Sequence, residues 1–398
     1  MQEAPLLKDN GVRALIVAGG PHPTFFKDYI NNDCIDAINI GEGEYSLLDL
    51  ANAIDENREM TTIQNFYVKK EGKVHKNPLR PLVDVNKLPM PDRNLYMKYE
   101  SFLTQTTYNF NVTRGCPYNC TYCFIHQWKE EYKSDANWNK MRLKAIDNAI
   151  NEIKDFAKQV DLKRIYFSDS TFNLNKKWTI DFLNCYGKEI GLPYTMNVRS
   201  NLLSEEVVKA IADSGCCETV RVGIEVGNEK NRKQVLGKAI SNQQIYESVD
   251  LLKKYQVKLV AFTMYGIPGE TLEEAMETVE MLQKIKPYSF SSQIFHPYAG
   301  LDITENALKG GYLTEEDVLK LGKNEYKQFT SVLKQKDIDE VMNLMKLSIV
   351  AIAFPFMWPV IKKLVKLKPN KLFSKLFSMI YVISLILTDL GGKQKYYR

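Results

Sequence analysis

Six apolar β-runs, each separated from the next by a helical stretch, dominate this sequence. The runs read Tyr108–Thr113, Arg164–Ser168, Tyr194–Val198, Thr219–Gly223, Leu259–Tyr265 and Ser289–Ile294. Between them lie Leu143–Phe156, Trp178–Glu189, Glu205–Ala212, Asn242–Tyr255 and Leu272–Ile285. Strand–helix repetition buries both sheet faces when the strands lie parallel and the helices pack outside them. The spacing therefore predicts an α/β fold, a partial (β/α)6 TIM-like barrel over residues 107–298. Ser204 and Thr271 stand where helix N-caps belong, with acids in the following turn. In such folds the chemistry gathers at the C-terminal ends of the strands.

The loop after the first of these strands reads Arg114-Gly115-Cys116-Pro117-Tyr118-Asn119-Cys120-Thr121-Tyr122-Cys123. The spacing is C-x3-C-x2-C. Three close thiolates can wrap an iron–sulfur cluster. With only three, one iron keeps an open position, which invites a substrate or cofactor. A zinc site is the alternative, because His126 with Cys116, Cys120 and Cys123 would complete a Cys3His set. The other cysteines are too few for an auxiliary cluster. Cys34 and Cys185 are expected to be buried hydrophobes, and Cys216-Cys217 are adjacent.

The C-x3-C-x2-C motif on this barrel, with an aromatic residue just before the third cysteine, resembles the radical S-adenosylmethionine (SAM) superfamily. The resemblance covers roughly Thr107 to Pro297. It implies that Cys116, Cys120 and Cys123 ligate a [4Fe–4S] cluster and that SAM chelates the fourth iron. One electron then cleaves SAM to methionine and a 5′-deoxyadenosyl radical. It also implies cofactor contacts at Tyr122, Asp169, Arg199, Glu225 and Ile267. Asp169 falls at the second strand end, where relatives carry adjacent acids; here the second position is Ser170. Arg199 would meet the SAM carboxylate. Glu225 matches the glutamate that relatives carry after the fourth strand. Ile267, in Gly266-Ile267-Pro268-Gly269-Glu270-Thr271, falls where backbone groups border the adenine. No catalytic residue is assigned.

Residues 1–60 alternate a strand (Val12–Ala18, ending in Gly19-Gly20), a helical stretch near Phe25–Ile30, a strand (Ile35–Ile40) and a helix (Tyr45–Ile54). Two strands are too few for a free-standing sheet of this kind. Either the sheet pairs with something else or the chain begins partway through a domain. This segment and the proline-rich connector at 61–106 resemble the end of the cobalamin-binding domain of a radical SAM subclass. Gly19 and Gly20 would allow close backbone approach to cobalamin. The D-x-H-x-x-G segment of that domain is absent, so the resemblance implies an N-terminally truncated domain. Two readings stay open: a domain that binds cobalamin, alone or completed by a partner chain, and a vestigial one. Within the connector, Gln64–Val68 and Lys73–His75 read as a hairpin around Glu71-Gly72.

Seven cysteines in 398 residues exclude a disulfide scaffold, and the opening residues show no signal peptide. A cytoplasmic setting follows. A helical extension is expected over 299–340 and a basic, apolar tail over 341–398. The tail carries ten Lys/Arg and one acid, whereas the rest is slightly acidic. That distribution argues against nucleic-acid binding by the body. It also suggests that the tail lies on an anionic membrane face; the alternative is a helical cap on the barrel. The expected function is methyl transfer to, or rearrangement of, an unactivated carbon. The substrate would be a small or lipid-like molecule, and flavodoxin or ferredoxin would donate electrons. The alternatives are a cobalamin-independent radical SAM enzyme and a non-catalytic, zinc-binding, membrane-attached module.

Overall fold

The structure, a computed structural model, describes residues 3–11, 13–321, 330–368, 375–376, 378–380 and 382–383. The chain divides into two compact units. One comprises Met1–Leu88, Gly115–Pro117 and Cys123–Lys140; the other comprises Pro89–Arg114, Tyr118–Tyr122 and Met141–Arg398.

The first unit is built on a four-stranded sheet in the order β1-β2-β3-β4. These strands are β1 (Val17–Ala18), β2 (Ala37–Asn39), β3 (Phe66–Lys70) and β4 (Lys73–Lys76). β1 and β2 are parallel, whereas β2/β3 and β3/β4 are antiparallel. The hairpin expected in the connector therefore belongs to the first sheet and supplies its two further strands. Glu71 (φ 50°) and Gly72 (φ 74°) form its two-residue turn, the left-handed pair that matches strand twist. The first strand is shorter than expected: among the described residues of that run, the strand spans Val17–Ala18. The helical stretch expected near Phe25–Ile30 is a helix at Pro21–Phe25 followed by a 3-10 turn at Lys27–Asn31. Helix Glu44–Asp55 covers one sheet face, where Leu50 and Ala53 meet Ala37, Phe66 and Val68. Ile30, Ile35, Ile38 and Ile40 form a second cluster.

The second unit holds six parallel strands in sequential order: β5 (Thr107–Phe110), then β8 (Arg164–Phe167), β9 (Tyr194–Val198), β10 (Cys217–Glu225), β11 (Leu259–Tyr265) and β12 (Ser289–Ile294). A short antiparallel pair, β6 (Thr113–Arg114) and β7 (Arg142–Leu143), lies between β5 and β8 in the chain. This is the expected α/β partial barrel. The single strand expected over Tyr108–Thr113 is split into β5 and β6. Helices Ile146–Ala157, Lys176–Glu189, Glu205–Asp213, Asn242–Lys254 and Leu272–Ile285 separate the barrel strands. The first buries Ala149, Ile150, Ile153 and Phe156, the i/i+3/i+4 spacing of one helical face. Thr271 forms a full capping box with Glu274. Ser204 occupies the cap position but its side chain makes no cap bond.

The expected extension contains helices Asp302–Lys309 and Glu315–Leu321. Beyond it, helix Ile338–Ala353 packs along Leu272–Ile285. Val341, Leu344, Met345 and Ala351 form one core cluster with Leu272, Ala275, Met276 and Val279. Trp358, Ile361 and Val365 join that cluster. Much of the first apolar run of the tail is thus a cap within this unit. The second run, Leu376–Leu387, lies in part outside the described residues. Among the described residues, no helix is long and apolar enough to cross a membrane.

Candidate functional site

The cysteine loop follows β6 directly. Asp169, at the end of β8, fixes the chain entering it. Its Oδ1 accepts hydrogen bonds from the Val112 and Thr113 amides and from the Thr113 hydroxyl. This pull explains why β5 stops at Phe110. Asp169 is buried, and its Oδ2 has no hydrogen-bond partner. Burial raises its pKa to about 6, against the three donors that hold it.

Between the first and third cysteines, the loop is fastened within the second unit to the end of helix Glu229–Gln234, to helix Asp302–Lys309 and to the end of β9. The Thr121 amide donates to the Leu236 carbonyl at 3.1 Å, and its hydroxyl donates to the Val235 carbonyl at 2.7 Å. The Thr121 carbonyl accepts from the Ile303 amide. The Tyr118 ring lies under the Arg199 guanidinium, 3.6 Å from centroid to Cζ. Gly237 passes so close that a Cβ there would sit 2.7 Å from the Asn119 carbonyl oxygen. In the first unit, Cys123 is the N-cap residue of helix Phe124–Glu131. From that helix the buried Lys129 ammonium donates to the Pro117 carbonyl at 2.9 Å. Cys120 is buried, whereas Cys116 and Cys123 are half-buried. Among the described residues, no three His, Cys, Asp or Glu side chains are grouped to hold a metal ion. Three soft thiolates on one anchored loop are nonetheless donors of the kind that an iron–sulfur cluster takes.

Glu225 organises the end of β10. The register with β11 slips between Gly223 and Glu225, and Glu225 takes a left-handed backbone with φ 67°. Such a bulge re-aims a side chain. Glu225 Oε1 accepts from the Tyr122 hydroxyl at 2.9 Å and from Lys238 Nζ at 2.7 Å. Lys238 also donates to the Gly223 carbonyl at 2.6 Å. The Glu225–Lys238 pair is about one-tenth exposed on each side. A Cβ on Gly223 would lie 2.1 Å from Glu225 Oε1, so glycine leaves the room that this pair fills. Glu225 Oε2 makes no hydrogen bond among the described residues. Behind the bulge, the fully buried Arg232 guanidinium donates to the carbonyls of Ile224, Val226, Gly227 and Ile240. Burial lowers its pKa to about 10.

Arg199 is locked at the end of β9 by a reciprocal bond with buried Asn173. The Arg199 amide donates to Asn173 Oδ1, and Asn173 Nδ2 donates to the Arg199 carbonyl. Among the described residues, the Arg199 guanidinium makes one hydrogen bond, from Nε to Asn201 Oδ1 at 3.0 Å, besides its stacking on Tyr118. Its two terminal nitrogens make no hydrogen bond among the described residues, and such a guanidinium edge can take a carboxylate.

Ile267 follows β11 with its side chain fully buried among Tyr122, Val226 and Leu236. Its carbonyl accepts from Gln335 Nε2 at 3.1 Å, and Gln335 Oε1 accepts from the Gly269 amide at 2.9 Å. Buried Glu270 accepts from the Gly266 amide.

Gly19 and Gly20 lie in the first unit, after β1. Gly20 has φ 91°, and a Cβ there would meet nothing within 4 Å, so the backbone is open to approach. Cys34, Cys185, Cys216 and Cys217 are half-buried and pack against the core clusters, so Cys34 and Cys185 are apolar packing groups, though not fully buried.

The sequence reading missed Lys238, Asn173, Arg232 and Gln335. Lys238 lies in Leu236-Gly237-Lys238, where a glycine before a cation was the one available cue. The others have no local signature.

These features define an α/β fold with polar side chains gathered at successive strand ends. The family model of the radical SAM superfamily matches residues 110–282. The chain is 30% identical over 342 residues to an uncharacterized methyltransferase of Pyrococcus horikoshii, covering 82% of this chain and 71% of that protein. The chain belongs to the radical SAM superfamily. It is 25% identical to the anaerobic magnesium-protoporphyrin IX monomethyl ester cyclase of Rubrivivax gelatinosus, over 72% of this chain and 52% of that one. Among solved structures, it resembles the radical SAM methyltransferase TsrM of Kitasatospora setae with tryptophan and a SAM analogue bound. The TM-score is 0.62 at 17% identity, over 79% of this chain and 62% of that one. It also resembles the cobalamin-dependent SAM radical enzyme OxsB with aqua-cobalamin and SAM bound. There the TM-score is 0.65 at 15% identity, over 97% of this chain and 61% of that one. The chain thus spans about six-tenths of these solved relatives. Radical SAM enzymes use a [4Fe–4S] cluster and SAM.

Proposed function

We propose that this enzyme cleaves SAM reductively at a [4Fe–4S] cluster held by Cys116, Cys120 and Cys123, and that it methylates an unactivated carbon of a small or lipid-like substrate. When bound, the cluster supplies one electron to SAM, giving methionine and a 5′-deoxyadenosyl radical. The chain's residues hold and orient. Arg199 offers its free guanidinium nitrogens to the SAM carboxylate. Glu225 Oε2 accepts from a ligand hydroxyl, while Tyr122 and Lys238 fix the other oxygen. The backbone near Ile267 borders the adenine, and Asp169 steadies the entry to the cysteine loop. A small redox protein of the flavodoxin or ferredoxin kind delivers the electron.

The observation that carries this reading is the Tyr122–Glu225 hydrogen bond. It ties the residue before the third cysteine to the strand end that bears the ligand-facing carboxylate. The methyltransferase relatives favour methyl transfer over rearrangement. Gly19 and Gly20 fit an approach by cobalamin, whose chemistry would be carriage of the methyl group.

The test is anaerobic reconstitution with iron and sulfide, dithionite reduction and EPR with and without SAM, after incubation with hydroxocobalamin and removal of excess. A cluster signal altered by SAM and lost in Cys120→Ala is expected, with cob(II)alamin co-eluting. A zinc-loaded protein without a cluster signal would overturn the reading. A SAM-responsive cluster without cobalamin would leave a cobalamin-independent enzyme.

A further inference from the structure

The basic tail is only partly absorbed by the fold, and what it leaves outside is organised. After helix Ile338–Ala353, Phe354-Pro355-Phe356 makes a 3-10 turn, and helix Trp358–Leu364 begins with Pro359 in its first turn. Two prolines in five residues stiffen this corner. One face of the second helix is anchored: Trp358, Ile361 and Val365 are buried in the core cluster at i, i+3 and i+7. Trp358 Nε1 donates to Glu280 at 3.2 Å, and Asn343 Nδ2 donates to the Val365 and Leu367 carbonyls.

Around this anchored helix, apolar side chains of the turn before it, of the helix and of the residues after it are exposed. Phe356 is 78% exposed, Phe354 50%, Val360 52% and Leu367 39%. The two phenylalanine rings stand 6.0 Å apart, edge to face. Exposed lysines flank them. Lys363, Lys366 and Lys368 form no ion pair among the described residues; only Lys362 is paired, to Glu280 at 2.9 Å. From Val341 to Thr388 the sequence contains no acid.

Exposed aromatic and aliphatic side chains with unpaired lysines beside them match the two layers of an anionic bilayer surface. The rings enter the acyl boundary and the ammonium groups meet the headgroups. A second copy of this chain would bring like-charged lysines together at the same patch. We propose that the Phe354–Phe356 corner, with Val360, Leu367, Lys363 and Lys366, docks this enzyme on an anionic lipid surface. The inference is independent of the cofactor chemistry.

The experiment is co-sedimentation of the full chain with vesicles of phosphatidylglycerol and phosphatidylcholine, and with phosphatidylcholine alone. Compared with the wild type are Phe354→Ser/Phe356→Ser and Lys363→Glu/Lys366→Glu, exposed substitutions whose folding is checked by thermal unfolding. The wild type should bind the anionic vesicles, and each double variant should bind about tenfold or more weakly. High salt should weaken the wild type further. Absence of wild-type binding to anionic vesicles would overturn the proposal, as would variants that bind like the wild type. A concentration-dependent dimer in sedimentation velocity that the phenylalanine variant abolishes would assign the corner to a second copy instead. SAM binding by the same preparations reports on the cofactor reading separately.

Discussion

The Tyr122 hydroxyl donates to Glu225 Oε1 at 2.9 Å across 103 residues of sequence. The same oxygen takes the Lys238 ammonium at 2.7 Å. A single carboxylate oxygen thus joins the cysteine loop, the β10 bulge and the loop after it. The other oxygen makes no hydrogen bond among the described residues.

Removing Lys238 should expose the dependence of this knot on charge pairing. Lys238→Met leaves Glu225 buried without its cation, and such a loss costs about 3–5 kcal/mol. Urea unfolding should show that drop. The double variant Lys238→Met/Glu225→Gln should recover much of it, because no buried charge remains. A single variant as stable as the wild type would count against the pair.

Gly237 sets the distance between its loop and the cysteine loop. Its φ is 62°, and a Cβ would meet the Asn119 backbone. Gly237→Ala carries about 1 kcal/mol of backbone strain and must also push the loop away. We expect the iron retained per chain after reconstitution to fall several-fold while the far-UV circular dichroism is unchanged. Undiminished iron content would show that the loop tolerates the shift.

Glu270 makes stability depend on pH. Burial raises its pKa from 4.5 to about 8, against bonds from the Gly266 and Ile267 amides. The unfolded chain releases this proton near the ordinary value, whereas the folded chain keeps it until about 8. The native state therefore binds more protons across that window, and stability falls as pH rises, levelling above about 8. One proton gives a slope of about 1.4 kcal/mol per pH unit. Glu270→Gln should flatten this component between pH 6 and 8 in urea titrations. Parallel curves for the two proteins would refute it.

Gln335 grips both sides of the turn after β11, through the Ile267 carbonyl and the Gly269 amide. Gln335→Leu should cost about 0.5–1.5 kcal/mol, since it removes the hydrogen bonds on both sides of the turn. Amide hydrogen exchange at Gly269 should accelerate locally, with the β10 and β11 amides unaffected. Unchanged protection at Gly269 would mean that the clamp is not what orders the turn.

The barrel was legible because its information is local. Strand–helix alternation and capping residues such as Thr271 recur at short range, and the observed strands β9, β11 and β12 keep their expected limits. The hairpin was equally readable, but its allegiance was not. Whether Phe66–Lys76 is a connector or half of a sheet depends on pairing with Ala37–Asn39, about thirty residues away. The split of the first barrel strand likewise answers to Asp169, more than fifty residues on.

By itself, the sequence determined the class of this protein. Three thiols at fixed spacing on a loop after a β-run, followed by five more β/α repeats, need no tertiary information to be seen. Tertiary structure alone decided what each polar residue does there. Asp169 turned inward to hold Thr113, Arg199 kept two nitrogens free, and Glu225 acquired a buried lysine partner made possible by Gly223. It also decided the fate of the described part of the tail, in part core and in part an exposed corner. Composition counts apolar and basic residues, but only packing chooses which helix face meets the barrel and which is left for something else.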